Sequence, residues 1–255
     1  MQKYRKKLGI LLISLIMLNT GCSNVALTKD QKVEQAFEKH LSIYPVKSLE
    51  YFYDMEGYRD KNFDKDDKGT WILSSYFAES ENDDEPLYSK GIVLFLNRNN
   101  KSAKGDYIIE KTHSATDKDK DESIKYPITV KGNKIMPIKD VPEKIKEDIE
   151  NYRLIIQNES FGDFGKLKRL KSRHNEAMPL YTINYQLNEN NNVNKWVQKH
   201  YNLKPQKAEL FIERTGYLEG GSVGDFNYEI RYDSVQKEAI KYYYESIIYQ
   251  PTKEE

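Results

Sequence analysis

The 255-residue chain has a single cysteine, Cys22, and the residues around it indicate a specific reaction of its thiol. Two small residues, Thr20 and Gly21, precede it, and an apolar run over 8–18 follows a basic N-terminal segment. That run is too short for a membrane-spanning helix, which needs about 20 apolar residues, but it suits the apolar part of a secretory signal peptide. The thiol is a nucleophile, and without a second cysteine it cannot form an internal disulfide.

This arrangement resembles the bacterial lipobox, in which diacylglycerol alkylates the cysteine thiol and a peptidase then cuts before the cysteine. We expect a signal peptide over 1–21 and a lipidated tether over 22–27, which holds the domain 28–255 at the extracellular face of the cell membrane. Asn19 departs from the lipobox pattern, which prefers an apolar residue three positions before the cysteine. The completeness of processing and the number of acyl chains therefore stay open, and the alternative is an ordinary signal peptide that contains a cysteine.

Other nucleophiles and metal-binding residue types do not form recognised constellations. The chain has four histidines: His40, His113, His174 and His200. None has a partner at a known zinc-ligand spacing. Gly220, Ser222 and Gly224 match the G-x-S-x-G pattern, but a nucleophile elbow joins a strand to a helix, whereas the flanking segments here resemble strands. Phosphate-binding loop motifs are absent from the sequence. We therefore predict no catalytic residue, no cofactor site and no metal site, and we predict that the chain is not an enzyme.

Two acidic runs, 64–69 and 117–122, have aspartates at the alternate spacing of calcium-binding loops. In the first run Lys68 occupies the fifth ligand position, and Ser75 stands at the twelfth, where a bidentate glutamate is needed. In the second run the glycine required at the sixth position is missing, and Ile128 stands at the twelfth. We interpret both runs as solvated loops, although ion binding stays open.

The charge balance excludes some partners. Lys and Arg total 40, and Asp and Glu also total 40. Four of the cations lie in the signal segment, so the mature chain has 36 basic and 40 acidic residues, a net charge of −4. Such a domain has no bulk attraction for nucleic acid. The basic stretch 166–173 is either a contact for an anionic partner, such as a cell-wall polymer, or a solvated charge run.

Hydrophobic periodicity predicts three longer helices. The first spans 28–41 and opens with a capping box, the second spans 140–151, and the third follows a cap at Asn191 or Asn192. A short helical turn is expected over 48–53.

Alternating or continuously apolar segments, rich in β-branched and aromatic residues, predict strands. These segments are 70–78, 92–96, 106–110, 126–130, 134–136, 152–157, 180–187, 208–214, 226–232 and 240–249. The basic stretch 166–173 is expected to be rich in turns. The predicted fold is α+β, a mainly antiparallel sheet with several flanking helices. The order of elements is similar in 28–138 and 139–255, which is compatible with two similar lobes and a duplication, although residue identities do not clearly repeat.

Several segments resemble one known family. They include Tyr44-Pro45, Glu56-Gly57-Tyr58-Arg59, Asp67-Lys68-Gly69-Thr70-Trp71, Ser89-Lys90-Gly91-Ile92-Val93-Leu94, Tyr185-Gln186-Leu187 and the Gly-Ser-Val-Gly turn at 221–224. On these residues the chain resembles the staphylococcal tandem-type lipoproteins, a paralogous family of surface antigens. Within the matching segments Gly69 suits a left-handed turn, and Trp71 suits a large anchor at the start of the first strand.

The resemblance implies a non-catalytic, lipid-anchored surface protein, which contributes to host interaction and stimulates innate immunity through its lipid. Its partners would be the membrane, through lipid on Cys22, and a host protein or receptor, and we expect a monomer. Segment 152–180 departs from the family pattern, so no contact surface is carried over there. The alternative function is a small-molecule or metal-binding lipoprotein of the cell envelope, which predicts a cavity lined by convergent polar groups.

Overall fold

The structure is a computed structural model, and it describes residues 27–59, 61–82, 84–114, 117–175, 179–216, 218, 225–233 and 239–252. The predicted signal peptide, Cys22 and the glycine-rich motif at 220–224 lie outside these residues. The chain divides into two units, Met1–Lys32 and Val33–Glu255. In the first unit Thr28 and Gln31 form the predicted capping box: the Gln31 N–H donates to Thr28 Oγ1 (3.3 Å), and the Thr28 N–H donates to Gln31 Oε1 (2.8 Å).

Ten strands in the described part of the chain form one antiparallel sheet. They are β1 (Thr70–Ser80), β2 (Leu87–Asn97), β3 (Ser102–Thr112), β4 (Glu122–Lys131), β5 (Lys134–Pro137), β6 (Lys168–Asn175), β7 (Leu180–Leu187), β8 (Ala208–Thr215), β9 (Phe226–Asp233) and β10 (Ile240–Gln250). Their order across the sheet is β5-β4-β3-β2-β1-β10-β9-β8-β7-β6. Two five-strand meanders are therefore joined in the middle, where the first strand pairs with the last.

The helices cover one face of this sheet, which we call the inner face. Five α-helices lie in the described residues: α1 (Lys29–Leu41), α2 (Tyr51–Asp54), α3 (Glu143–Glu150), α4 (Ile155–Asn158) and α5 (Asn192–His200). Phe37 of α1 packs edge-on against Phe226 of β9 with ring centroids 5.5 Å apart. Trp196 of α5 packs edge-on against Tyr243 of β10 at 6.0 Å. The core of the second unit therefore lies between the helices and the inner face.

Side chains alternate between the two faces along each strand, as the pleat requires. On β1 Trp71 and Leu73 point inward and are fully buried, whereas Ser74 and Tyr76 point outward and are half-buried. The Trp71 indole also donates a hydrogen bond from Nε1 to the carbonyl oxygen of Met55 (2.9 Å). Trp71 is thus the anchor that the sequence predicted for the start of the first strand.

The predicted fold class is confirmed, since a large antiparallel sheet with a few helices dominates the described residues. A division into two lobes is not shown, because pairing of β1 with β10 makes one continuous sheet from both halves. The boundary between 138 and 139 and the duplication stay predictions. The predicted helix over 140–151 is shorter than expected, because Pro142 is its N-cap and the helix begins at Glu143.

Segment 152–157 was predicted as a strand, and that prediction is wrong. Ile155–Asn158 is a single helical turn, α4, whose residues Ile155 and Ile156 are buried. A short apolar run is equally compatible with a buried strand and a buried helix. Here a distant carboxylate, Glu245, accepts the N–H groups of both isoleucines and so favours the helical turn.

The prediction of turns over 166–173 is also wrong for most of the stretch. Lys168–Asn175 forms β6, the edge strand next to β7. Charged residues have low strand propensity, but they are common on edge strands, where they prevent pairing with other chains. Pairing with β7 therefore outweighs the local preference of this stretch.

Candidate functional site

The inner face carries one row of buried polar side chains. Register pairing aligns Tyr228 of β9 with Glu245 of β10, and Glu245 with Ser75 of β1. All three side chains are fully buried. Directly opposed residues of an antiparallel sheet share a face, so these groups form a continuous polar row beneath the helices.

Glu245 is the charged member of this row. Its Oε2 accepts the Ile155 N–H (2.8 Å), its Oε1 accepts the Ile156 N–H (3.2 Å), and the Tyr243 hydroxyl also donates to it. Burial is the largest influence and raises the pKa of Glu245 from 4.5 to about 7, while these three hydrogen bonds oppose part of the rise. The carboxyl group therefore caps the amide end of α4 at a cost in desolvation.

Tyrosine and serine hydroxyls extend the network. The Ser75 hydroxyl donates to the Tyr243 hydroxyl oxygen (2.8 Å), and the Tyr152 hydroxyl donates to the Ser75 carbonyl oxygen (2.9 Å). Burial raises the pKa of Tyr152 and of Tyr243 well above the ordinary value of 10.0. Although the network links a serine to a carboxylate through a tyrosine, the Ser75 side chain is fully buried and closed to a substrate. The geometry suits a structural joint between α4, β1 and β10.

Arg214 of β8 is a second buried charged group on the inner face, with a 3% exposed side chain. Its guanidinium carbon lies 5.2 Å from the centroid of the Phe226 ring, and its Nε and Nη1 atoms have no hydrogen-bond partner among the described residues. His40 of α1 lies nearby, with Nε2 3.4 Å from the Leu218 carbonyl oxygen. Burial, followed by the charge of Arg214, lowers the pKa of His40 from 6.5, so this histidine is neutral near pH 7.

The outer face of the sheet presents an apolar and aromatic surface, which we call the central outer patch: Ile72, Tyr76, Phe95, Tyr244 and Ile248. Ile72 pairs in register with both Ile248 and Phe95, so these three are neighbours across β10, β1 and β2. Tyr76 stacks on Tyr244 with centroids 4.9 Å apart and an interplanar angle of 27°. Phe95 is 43% exposed and Ile248 is 37% exposed, which leaves part of the patch in contact with solvent.

Of the open grooves that flank described elements, two are lined mainly by apolar side chains. One, of about 280 Å³, lies on the outer face beside Tyr76 and is bordered by Ile108 and Glu110 of β3. The other, of about 570 Å³, lies between the end of α1 and α2 and is lined mainly by apolar side chains, among them Ile43 and Met55. Neither is lined by the convergent set of polar groups that fixes a small polar ligand.

The histidines named in the sequence analysis belong to different elements of the fold. His40 ends α1, His113 follows β3, His174 lies in β6, and His200 ends α5, where its ring stacks on Trp196 at 4.9 Å. Among the residues that the structure describes, no three His, Cys, Asp or Glu side chains are grouped to hold a metal ion.

In both acidic runs, carboxylates form hydrogen bonds or ion pairs with other groups of the protein. Asp67 Oδ1 accepts the Gly69 N–H (2.8 Å) and the Asn99 side-chain amide (2.8 Å). In the second run Lys120 pairs with Asp117 at 2.9 Å. The Asn99 contact ties the first loop to the turn after β2, whereas the Lys120–Asp117 pair lies within the second loop.

Sequence reasoning missed Glu245, although a signal for it exists. Tyr243, Ile247 and Tyr249 occupy alternate positions of β10 and define its inward face, and Glu245 is the charged residue that lies between them at that parity. A carboxylate in an otherwise apolar alternation points to a buried hydrogen-bonding role. Its partners Ile155 and Ile156 lie 90 and 89 residues away, and no local pattern identifies them.

Sequence comparison defines the class of the protein. The chain is 39% identical over 241 residues to an uncharacterized lipoprotein of Staphylococcus epidermidis (strain ATCC 12228 / FDA PCI 1200), with 93% of each chain covered. It is 39% identical over 252 residues to an uncharacterized lipoprotein of Staphylococcus aureus (strain USA300), covering 97% of this chain and 96% of the relative. The chain is a lipoprotein of the cell surface. No helix within the described ranges has the length and apolar character to span a membrane.

The family model gives the second step. Residues 29–252 match the Csa1 family. The chain belongs to the Csa1 family, and its resemblance to a staphylococcal lipoprotein family is confirmed. Among solved structures, LprF from Mycobacterium bovis is similar over 85% of this chain and 91% of that chain, with a TM-score of 0.39 and 6% identity. A similarity of that size supports no argument about function.

Proposed function

We propose that the chain is a lipid-anchored, non-catalytic lipoprotein at the extracellular face of the cell membrane, whose domain binds a host macromolecule. One observation carries the binding role: the central outer patch exposes aromatic and aliphatic side chains on a sheet face that no described helix covers. Contiguous apolar surface of this kind marks interaction sites in soluble proteins. The anchoring role rests on Cys22 and on the lipoprotein relatives.

The chemistry of the patch favours a protein partner. Tyrosine and phenylalanine are enriched in the cores of protein interfaces, where large rings bury much area at little conformational cost. Charged residues of both signs border the patch, among them Glu110 beside the Tyr76 groove and the ion pair of Glu229 with Arg231. A partner surface with an apolar centre and a polar rim would complement this arrangement.

The proposed binding is tested by adhesion of bacteria that display the full lipidated chain to cultured human epithelial cells. Phe95→Asp together with Ile248→Asp places two charges in the patch, and we expect adhesion to fall to the level of bacteria that lack the protein. The matched control, Ile124→Asp with Ile138→Asp, changes two exposed isoleucines outside the patch, which are 52% and 51% exposed, and should adhere like the wild type. Light scattering should first show that all proteins are monomers. Equal adhesion of the patch variant and the wild type contradicts the proposal.

Innate immune stimulation is the finer part of the proposal, and it depends on the lipid rather than the patch. Macrophages exposed to the lipidated wild type should release cytokines, whereas macrophages exposed to the Cys22→Ala protein should release none. Stimulation by the patch variant should match that of the wild type. If Cys22→Ala stimulates equally well, the lipid is not the active group.

The groove beside α2 favours a second candidate function, the binding of a small apolar molecule. Its volume of about 570 Å³ falls within the range of ligand sites, about 300–1,000 Å³. The apolar probe 1-anilinonaphthalene-8-sulfonate should then gain fluorescence on the wild type and lose that gain in Ile43→Asp. An unchanged signal in that variant excludes the groove.

A further inference from the structure

Strand β6 forms an exposed edge of the sheet. It is the last strand after β7, and no strand of the described residues lies beyond it. All its residues except Ser172 are exposed. The opposite edge differs, because α3 contacts β5. The β6 edge is therefore accessible to an extended partner.

A β-bulge brings three cations of this edge onto one face. Lys168 pairs with Gln186, Lys171 with Asn184 and Arg173 with Thr182, and these β7 residues alternate with the buried inward residues of β7. In a regular strand Lys168 and Lys171 would point to opposite faces, because their spacing is odd. The register shift between Arg169 and Lys171 inserts one extra residue and restores the same outward direction.

The three cations repeat at a regular interval. Their β7 partners are spaced two residues apart, so successive charges lie about 7 Å apart along the edge. This is of the order of the separation between successive phosphates in an extended phosphodiester chain. Exposed lysine and arginine at such a repeat suit a polymer with one negative charge per unit better than an isolated anion.

Within the described residues, neighbouring carboxylates do not form ion pairs with these three cations. Among described residues no ion pair joins Lys168, Lys171 or Arg173 to an acid, whereas Arg169 points inward and pairs with Glu34 at 3.2 Å. The acids nearest on the outer face by register, Glu209 and Glu213 of β8, lie two strands away, about 10 Å.

We propose that Lys168, Lys171 and Arg173 form a binding edge for an extended anionic polymer with repeating phosphate groups. The mature chain has a net charge of −4, so affinity for a polyanion requires a local surface of this kind. This edge is separate from the central outer patch, and the proposal does not depend on the host-binding function.

The test measures binding of the full lipidated chain, in neutral detergent micelles, to immobilised poly(glycerol phosphate), a phosphodiester polymer. The variant carries Lys168→Glu, Lys171→Glu and Arg173→Glu. We expect its affinity to fall at least about tenfold. Each lost phosphate contact reduces the slope of log affinity against log salt concentration by about 0.7, so the loss of all three should make the slope shallower by about 2. The matched control, Lys131→Glu, Lys134→Glu and Lys139→Glu, reverses three exposed lysines near the opposite sheet edge and should bind within about twofold of the wild type.

A second variant separates charge from structure. Lys168→Arg, Lys171→Arg and Arg173→Lys keeps all charges and should bind like the wild type, with an unchanged melting temperature. Equal binding by the reversal variant and the wild type overturns the proposal, as does equal loss in the control. Competition by phosphatidylglycerol doped into the micelles, without competition by soluble poly(glycerol phosphate), overturns it in favour of a lipid surface.

Discussion

At the scale of single residues, Glu245 fixes how the turn around Ile155 meets the sheet. A buried carboxyl group is costly unless donors surround it, and here two backbone amides and the Tyr243 hydroxyl do so. Burial, and to a smaller extent the charge of Glu245, raises the pKa of Tyr44 and of Tyr228. Because burial raises the pKa of these tyrosines well above 10.0, they stay protonated near neutral pH, and Glu245 is the member of this cluster that titrates there.

Glu245 should make stability depend on pH. Its pKa of about 7 in the folded protein exceeds the ordinary 4.5, so the folded protein holds the proton more tightly than the unfolded chain. The stabilisation that comes from this tighter proton binding is of the order of 3 kcal/mol. It is fully present below about pH 4.5 and is lost as the pH rises through about 7. Urea unfolding of the wild type at pH 5 and pH 8 measures it.

The control is Glu245→Gln, which cannot titrate and keeps an oxygen acceptor for α4. His40 and His200 are present in both proteins, so the difference between the two pH profiles isolates Glu245. We expect a flatter profile for the glutamine variant over pH 5–8. Parallel profiles would show that Glu245 keeps an ordinary pKa in the folded protein.

At the scale of secondary-structure elements, local sequence patterns predicted those helices and strands whose formation depends on interactions between residues close in sequence. The alternation in 180–187 predicted β7 with its observed bounds, and the cap predicted at Asn191 or Asn192 lies at Asn191, just before α5 begins. The sequence did not predict α4 or β6, because a carboxylate on β10 and pairing with β7 determine them. The candidate surfaces were harder still to predict. The central outer patch requires the registers of three strands, and the bulge that aligns the β6 cations has no local signal.

The cap of α5 gives a prediction for an element. The Asn191 side chain accepts the Asn194 N–H at 3.2 Å, one of the amides that a helix start leaves unpaired. Asn191→Ala should lower the free energy of unfolding by about 1 kcal/mol. Chemical denaturation measures the change, and Asn190→Ala, one residue earlier and exposed, should leave stability unchanged. A similar loss from both substitutions would mean that the cap does not stabilise α5.

At the scale of the whole molecule, one sheet separates two different surfaces. Its inner face is closed by helices over a core that contains a polar row, and its outer face carries the central outer patch at the centre and the β6 cations at one edge. Such a division suits the proposed role, in which the domain is held at a membrane and binds through its outer face. Membership of the Csa1 family and the lipoprotein relatives agree with the lipoprotein part of that role.

The central claim is that Cys22 carries the lipid, and metabolic labelling with a fatty acid tests it most directly. Bacteria that express the wild-type chain should incorporate label into the protein, and mass spectrometry should find an acylated N-terminal peptide that begins at Cys22. Cys22→Ala should carry no label and should leave the membrane fraction. Label that persists in Cys22→Ala, or a mature wild-type protein that begins at another residue without lipid, would contradict the account.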